Sequence, residues 1–178
     1  MFIALARPVI VCLRARLNSI GPCTPPQSAM ASVARSRLSI RFFGEELVPA
    51  ELTAMLGATP TTQYRKGDER TSASGKVYAR KYGAWIIATG NMTPEAIDDQ
   101  LAELFCQLTQ DLSVWSLLTT RYDADVFCGL FMEESNEGFS LKLSTLLALA
   151  SRGLEIGFDI YDPCDEEDGH SPTPQGEI

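Results

Sequence analysis

The stretch from Thr93 to Gln110 constrains the fold more than any other part of the chain. Ile97, Leu101, Leu104, Phe105 and Leu108 recur at three- and four-residue spacing, which puts them on one face of an α-helix. Asp98, Asp99 and Glu103 fall off that face. Thr93 has the chemistry of an N-cap, Pro94 suits the first helical position, and Glu95 places negative charge in the first turn, where the helix dipole favours it. The pattern predicts a helix over 94–110. A helix cannot bury such a stripe by itself, so other elements must pack against it.

Those elements are readable on both sides. Over 37–43, Leu38, Ile40 and Phe42 alternate with Ser39 and Arg41, as in a strand with one buried side. A short helix is predicted at 49–56, with Pro49 at its first position, Leu52, Met55 and Leu56 on its inner face, and Gly57 just past its end. Val48 is a poor residue for its cap. Residues 58–75 are polar and read as a long connection, and strand signals return over 76–88 around Trp85, Ile86 and Ile87. Residues 112–119 fit either a helix extension or a strand. Residues 125–132 are apolar on both faces, as in a central strand covered on both sides, and 133–138 read as a turn into a partner strand carrying Phe139, Leu141 and Leu143. A helix at 145–152, capped by Ser144 and ended by Gly153, leads to a last strand with Leu154, Ile156, Phe158 and Ile160. The expected class is α+β: a mostly antiparallel sheet with helices packed on one face, ferredoxin-like in flavour.

Charge divides the chain. Residues 1–43 hold six arginines and no acid, while the rest holds 9 basic and 23 acidic side chains, a net charge of −14. A domain that acidic repels phosphate backbones, so a basic protein is the expected partner and nucleic acid is not. Residues 1–35 are expected to lie outside the domain. Arg7, Pro8, Arg14 and Arg16 break their apolar run, so no membrane span is expected. The segment reads as a start placed too early, with Met30 as the true one, as a disordered or weakly membrane-seeking tail, or as a targeting segment. Residues 36–162 form the domain, and 163–178 are expected to be a disordered acidic tail. Oligomeric state is not legible.

The chain has five cysteines, none in a C-x-x-C pair or a zinc-finger spacing. Cys106 and Cys128 sit among apolar residues and read as small core residues. Such a set suits a reducing compartment, so a cytoplasmic location is expected. His170 is the only histidine and lies in the acidic tail, which leaves no Ser-His-Asp or Cys-His arrangement in the domain. No metal site and no cofactor are expected.

Candidate binding residues gather at 59–70, where Thr59, Pro60, Thr61, Tyr64, Lys66, Gly67 and Asp68 stand beside Arg65 and Arg70. Backbone amides near a glycine, with Lys and Arg, can hold an anion. The competing reading is a turn in which Gly67 takes a positive φ and Asp68 pairs with a nearby base. Trp85 is either core or the wall of a pocket. Asp159 lies on the face of the last strand opposite Ile156 and Phe158, with Arg41 as a candidate neighbour across the sheet. No residue is assigned a catalytic role.

Several of these segments together resemble a known family. Leu38 to Phe43, Pro49-Ala50-Glu51-Leu52-Thr53 and Leu56-Gly57-Ala58-Thr59-Pro60-Thr61 resemble the opening of a bacterial family catalogued as domain of unknown function 4279. Lys66-Gly67-Asp68, a strand with Trp85, an amphipathic helix and a closing helix and strand (Leu146 to Tyr161) follow in the family's order. The resemblance covers about 37–162, and Val48 departs from it, since the family commonly has an acidic or small polar residue there. It implies a compact α+β domain and brings no catalytic residue, cofactor or substrate.

Three functions stay open. The first is a non-enzymatic protein-interaction module, for example an immunity-like protein. The second is a small-ligand or anion-binding domain that uses the 59–70 loop. The third is an enzyme working through Asp, Lys or Tyr, which has the least behind it. For the fold, the prediction is direct: Leu101→Asp puts a charge in the central stripe of the best helix. The variant should show no cooperative unfolding by circular dichroism, and a well-folded variant would mean that the stripe faces outward.

Overall fold

The computed structural model describes residues 32–162; the readings of the extension up to residue 31 and of the acidic tail fall on residues outside that range. The sheet is built on β1 (Arg35–Gly44), because its even-numbered side chains Leu38, Ile40 and Phe42 need cover along the whole strand. β5 (Gly83–Ala88) pairs antiparallel with it on one side, and β6 (Asp123–Phe131) pairs antiparallel on the other. β2 (Thr62–Tyr64) adds to β5 at one edge, and β7 (Glu155–Tyr161) adds parallel to β6 at the other. The order is β2-β5-β1-β6-β7. A separate two-stranded ribbon is formed by β3 (Glu69–Thr71) and β4 (Val77–Ala79).

Four helices cover one face: α1 (Pro49–Leu56), α2 (Ile97–Gln107), α3 (Leu112–Arg121) and α4 (Leu143–Arg152). Leu52, Leu56, Ile97, Leu101, Leu104, Trp115, Leu118 and Leu149 meet Leu38, Ile40, Phe42, Trp85, Val126 and Cys128 in one core. Phe42 sits between two indoles, 6.0 Å from Trp85 and 6.1 Å from Trp115. The architecture is thus the expected α+β layer, mostly antiparallel, with its helices on one face. A ferredoxin-like unit runs β-α-β-β-α-β. This chain keeps the layering but inserts the ribbon, places two helices in succession before β6, and closes with a parallel β6-α4-β7 crossover.

Several boundaries differ from the sequence reading, each for a local reason. Val33 is only 3% exposed and belongs to the core, so the folded unit starts before residue 36. Helix α2 begins at Ile97 rather than Pro94, because the Glu95 amide donates to the Val33 carbonyl and the Ala96 amide to Ser36 Oγ. Thr93 is therefore not its cap. Residues 112–121 form a helix of their own, capped by Asp111, whose carboxylate accepts from the Ser113 amide at 2.9 Å. The strand expected over 76–88 is two strands, β4 and β5, and the polar connection before it holds β2 and β3.

The expected hairpin of 125–132 with 139–143 does not form. Residues 139–142 are irregular, with Phe139 packed 4.9 Å from Phe158, and β6 takes β7 as its second neighbour. Nor is Ser144 the cap of α4. Lys142 holds the cap position, and Asp98 of α2 accepts from its amide at 3.1 Å and from Thr145 Oγ1 at 2.5 Å. β6 is covered on one face only, since Phe127 and Phe131 are half-buried on the helix-free side. Cys106 is exposed on the outer side of α2, against the core placement expected for it, while Cys128 is buried as expected. Where the reading matched, the chemistry is plain: Gly57 and Gly153 end their helices with φ of 80° and 67°, a region that glycine enters at no steric cost.

One polar cluster sits inside the core. Gln100 Nε2 donates to Thr89 Oγ1 and to the Gly90 carbonyl, both at 2.9 Å, and to the Ser36 carbonyl at 3.3 Å. Its Oε1 accepts from Ser36 Oγ at 2.6 Å. This one side chain ties α2 to the start of β1 and the end of β5. Gln100→Leu keeps the volume and strands those groups, so it should cost about 3 kcal/mol in urea denaturation. Burial, with a smaller push from Glu95, raises the Cys128 thiol to about 12. The folded chain thus keeps the thiol neutral where the unfolded chain ionises it, and this contribution to stability is complete below pH 9 and lost as pH rises towards 12. Alkylation followed by peptide mapping at pH 9 should label Cys106 and spare Cys128 until denaturant is added.

Candidate functional site

The candidate residues of the 59–70 segment are held by pairing rather than left as a free loop. The Thr61 amide donates to the Ile86 carbonyl at 2.8 Å, and Thr61 Oγ1 accepts from the Ala88 amide at 2.9 Å. Thr62 and Tyr64 then stand opposite Ile86 and Ala84. Thr59 is exposed and Pro60 half-buried where the chain enters this edge. The turn that follows consumes its own groups. Asp68 Oδ2 accepts from the Arg65 amide at 2.7 Å, the Gly67 amide donates to the Arg80 carbonyl at 2.9 Å, and the Asp68 amide donates to the Arg65 carbonyl at 3.2 Å. Gly67 has φ of 90°, as the turn requires. Three of the amides that could have cradled an anion are therefore already bonded. Lys66 is held by Glu45 at 2.5 Å, which lowers the Glu45 carboxyl and raises the lysine.

Beside this turn lies a cleft of about 410 Å³ lined by Pro49, Ala50, Gln63, Tyr64, Arg65 and Asp68. Arg80 lies over the Tyr64 ring at 3.8 Å. Burial raises the Tyr64 phenol, and Arg80 opposes the shift. Trp85 does not join the cleft: it is fully buried, and its Nε1 donates to Thr53 Oγ1 at 3.0 Å. Asp159 is on β7, with three strands between it and β2 at the cleft. The structure thus brings Tyr64 and Asp68 together at one cleft with Lys66 and Gly67 next to it, and puts Trp85 in the core against α1 and Asp159 at the sheet's far edge.

Arg41 and Asp159 are not partners. Register places Arg41 opposite Asp125, and the two make a double contact, Nε to Oδ1 at 2.8 Å and Nη2 to Oδ2 at 2.5 Å. Arg37, not Arg41, shares a row with Asp159, across Gly129. Asp159 instead accepts from the Tyr161 hydroxyl at 2.7 Å. Burial and that bond together push the Tyr161 phenol up to about 12.

A larger surface emerges on the helix-free face of the sheet. The odd-numbered residues of β1 lie there, in rows with the odd-numbered residues of β6 and β7. Arg35 sits 4.1 Å from the Phe131 ring, and Phe131 stacks on Tyr161 at 4.7 Å. Arg41 sits 4.5 Å from Phe127 and 5.6 Å from Phe43, which meets Tyr82 edge-on. Asp123, Glu155 and Asp159 stand exposed along the β6–β7 half. The signal in the sequence was the alternation of Arg35, Arg37, Ser39, Arg41 and Phe43. The reading of β6 as covered on both sides hid the aromatic half.

Among the described residues, no helix is long and apolar enough to cross a membrane, and no group of three or more His, Cys, Asp or Glu is placed to hold a metal ion. No match was found among curated proteins or among solved structures. A family model does match, over residues 34–163, which is the whole sheet with its helices and the ribbon. The chain belongs to the family described as Domain of unknown function (DUF4279).

Proposed function

We propose that the protein is a non-enzymatic interaction module that binds a basic protein partner on the helix-free face of its sheet, along β6 and β7. The observation that supports this is the make-up of that half-face. Phe131 and Tyr161 stack there, Arg35 and Arg41 lie over Phe131 and Phe127, and the carboxylates Asp123, Glu155 and Asp159 stand exposed along the β6–β7 half. Lysine or arginine side chains of a partner can pair with such carboxylates, and aromatic side chains are enriched at the anchors of many interfaces. β7 adds an edge with one side unpaired in the sheet. Cys106 and Cys128 are both free thiols, which suits a reducing cytoplasm. An immunity-like protein that neutralises a basic effector would be one form of this function.

The cleft beside Tyr64 favours a second reading, a small-anion site. It has less support, since Gln63 and Arg65 are exposed and the turn amides are committed. Trp85 and Asp159 lie away from the Tyr64–Asp68 cleft, and the polar groups beside it are committed to the turn and to Glu45, which favours binding over catalysis.

Affinity capture with the full chain tests the main reading. A basic protein should be retained at moderate salt by the wild type, lost with Glu155→Lys/Asp159→Lys, and kept with Asp99→Lys on the opposite side. Equal capture by the β7 variant, or no retained partner, would reject the proposal.

A further inference from the structure

Charge is segregated within the folded chain. Residues 65–81 carry six basic side chains against Asp68 and Glu69, whereas the other described residues carry 6 basic and 16 acidic ones. Asp68 is committed to its own turn and Lys66 to Glu45. Among the described residues, Arg65, Arg70, Lys76, Arg80 and Lys81 have no carboxylate at ion-pair distance, although acids outnumber bases over the other described residues taken together. These cations lie on the β3–β4 ribbon and its two ends.

We propose that this ribbon, with Tyr64 at its base, is a second recognition surface that takes an acidic segment of a partner protein. Register sets Arg70 opposite Tyr78, and strand alternation places Arg80 on that same side of the ribbon while Glu69 points to the other. Each guanidinium rests on a ring, Arg70 at 5.7 Å from Tyr78 and Arg80 at 3.8 Å from Tyr64. A guanidinium held flat on a ring keeps its edge N–H groups for a planar acceptor, and a carboxylate takes them in pairs. Cations gathered without counter-charges repel one another, and an acidic ligand relieves that repulsion.

The ligand is a short acidic peptide segment rather than a nucleic acid. Three-residue strands span only about 10 Å, enough for a few charges. A phosphate chain extending past the ribbon would meet the acidic remainder of the domain. An extended peptide presents same-side carboxylates about 7 Å apart and can end where the ribbon ends. This surface is separate from the β6–β7 face, and the two proposals stand or fall independently.

Fluorescence anisotropy with the full chain tests it, using labelled hexaglutamate and a labelled single-stranded oligothymidine of equal charge. Hexaglutamate should bind more tightly than the oligonucleotide and weaken as salt is raised. Arg70→Glu/Arg80→Glu should weaken it by at least about tenfold, as expected when an attractive charge pair becomes a repulsive one. Lys76→Glu, which is exposed and tolerated by any fold of the ribbon, should weaken it in the same direction, and Asp159→Asn should leave it unchanged. Failure of hexaglutamate to bind, unchanged binding by Lys76→Glu, or tighter binding of the oligonucleotide would overturn the proposal.

Discussion

Strand β1 is the constraint on which the rest of this structure depends. It is the middle strand, paired antiparallel on both sides, and its two faces face different worlds. Leu38, Ile40 and Phe42 are all but fully buried, and every helix contributes to covering them or their neighbours. A slip of one residue in its register would turn those side chains out and bring Arg37 and Arg41 into the core, at prohibitive cost. The buried Gln100 cluster blocks such a slip, because its bonds to Ser36, Thr89 and Gly90 are satisfied in one register only.

The same alternation that builds the core also builds the recognition surface. Once the helices gather on one face, the odd-numbered residues of β1, β6 and β7 are left on the other. There Arg35 and Arg41 lie against rings, and Arg41 also holds Asp125. Stacking orders those long side chains before any partner arrives, which lowers the entropy that binding must overcome. The acidic β7 side is one edge of the five-stranded sheet, and the separate basic ribbon follows directly on β2, the strand at the other edge. Net charge hides this division, because it averages a basic arm into an acidic body.

Much of the fold was legible in the chain because it rests on short-range periodicity. The α2 stripe, the β1 alternation, the glycine ends of α1 and α4 and the positive φ of Gly67 all came through, whereas Asp68 holds the Arg65 backbone amide rather than a basic side chain. The misreadings share a cause. The start of α2, the cap of α4 and the fate of residues 139–142 are each decided by a partner distant in sequence: Val33 and Ser36 for the first, Asp98 for the second, and Phe158 for the third. The site residues divide in the same way. Tyr64, Lys66, Gly67 and Asp68 stayed together because they are neighbours in the chain, whereas Trp85 and Asp159 could be assigned only once the strand order was known.

By itself the sequence determined that this chain folds as an α+β domain of one family, and which faces of β1, α1 and α2 turn inward. These follow from hydrophobic spacing and from backbone chemistry, which act over a few residues. Only the tertiary structure decided that β7 runs parallel beside β6, that Arg41 holds Asp125 rather than Asp159, that Cys106 lies outside, and that five cations with no ion-pair partner among the described residues collect on a ribbon and its ends. Those outcomes depend on which strands become neighbours, and that choice is made by the packing of the whole core rather than by any local run of residues.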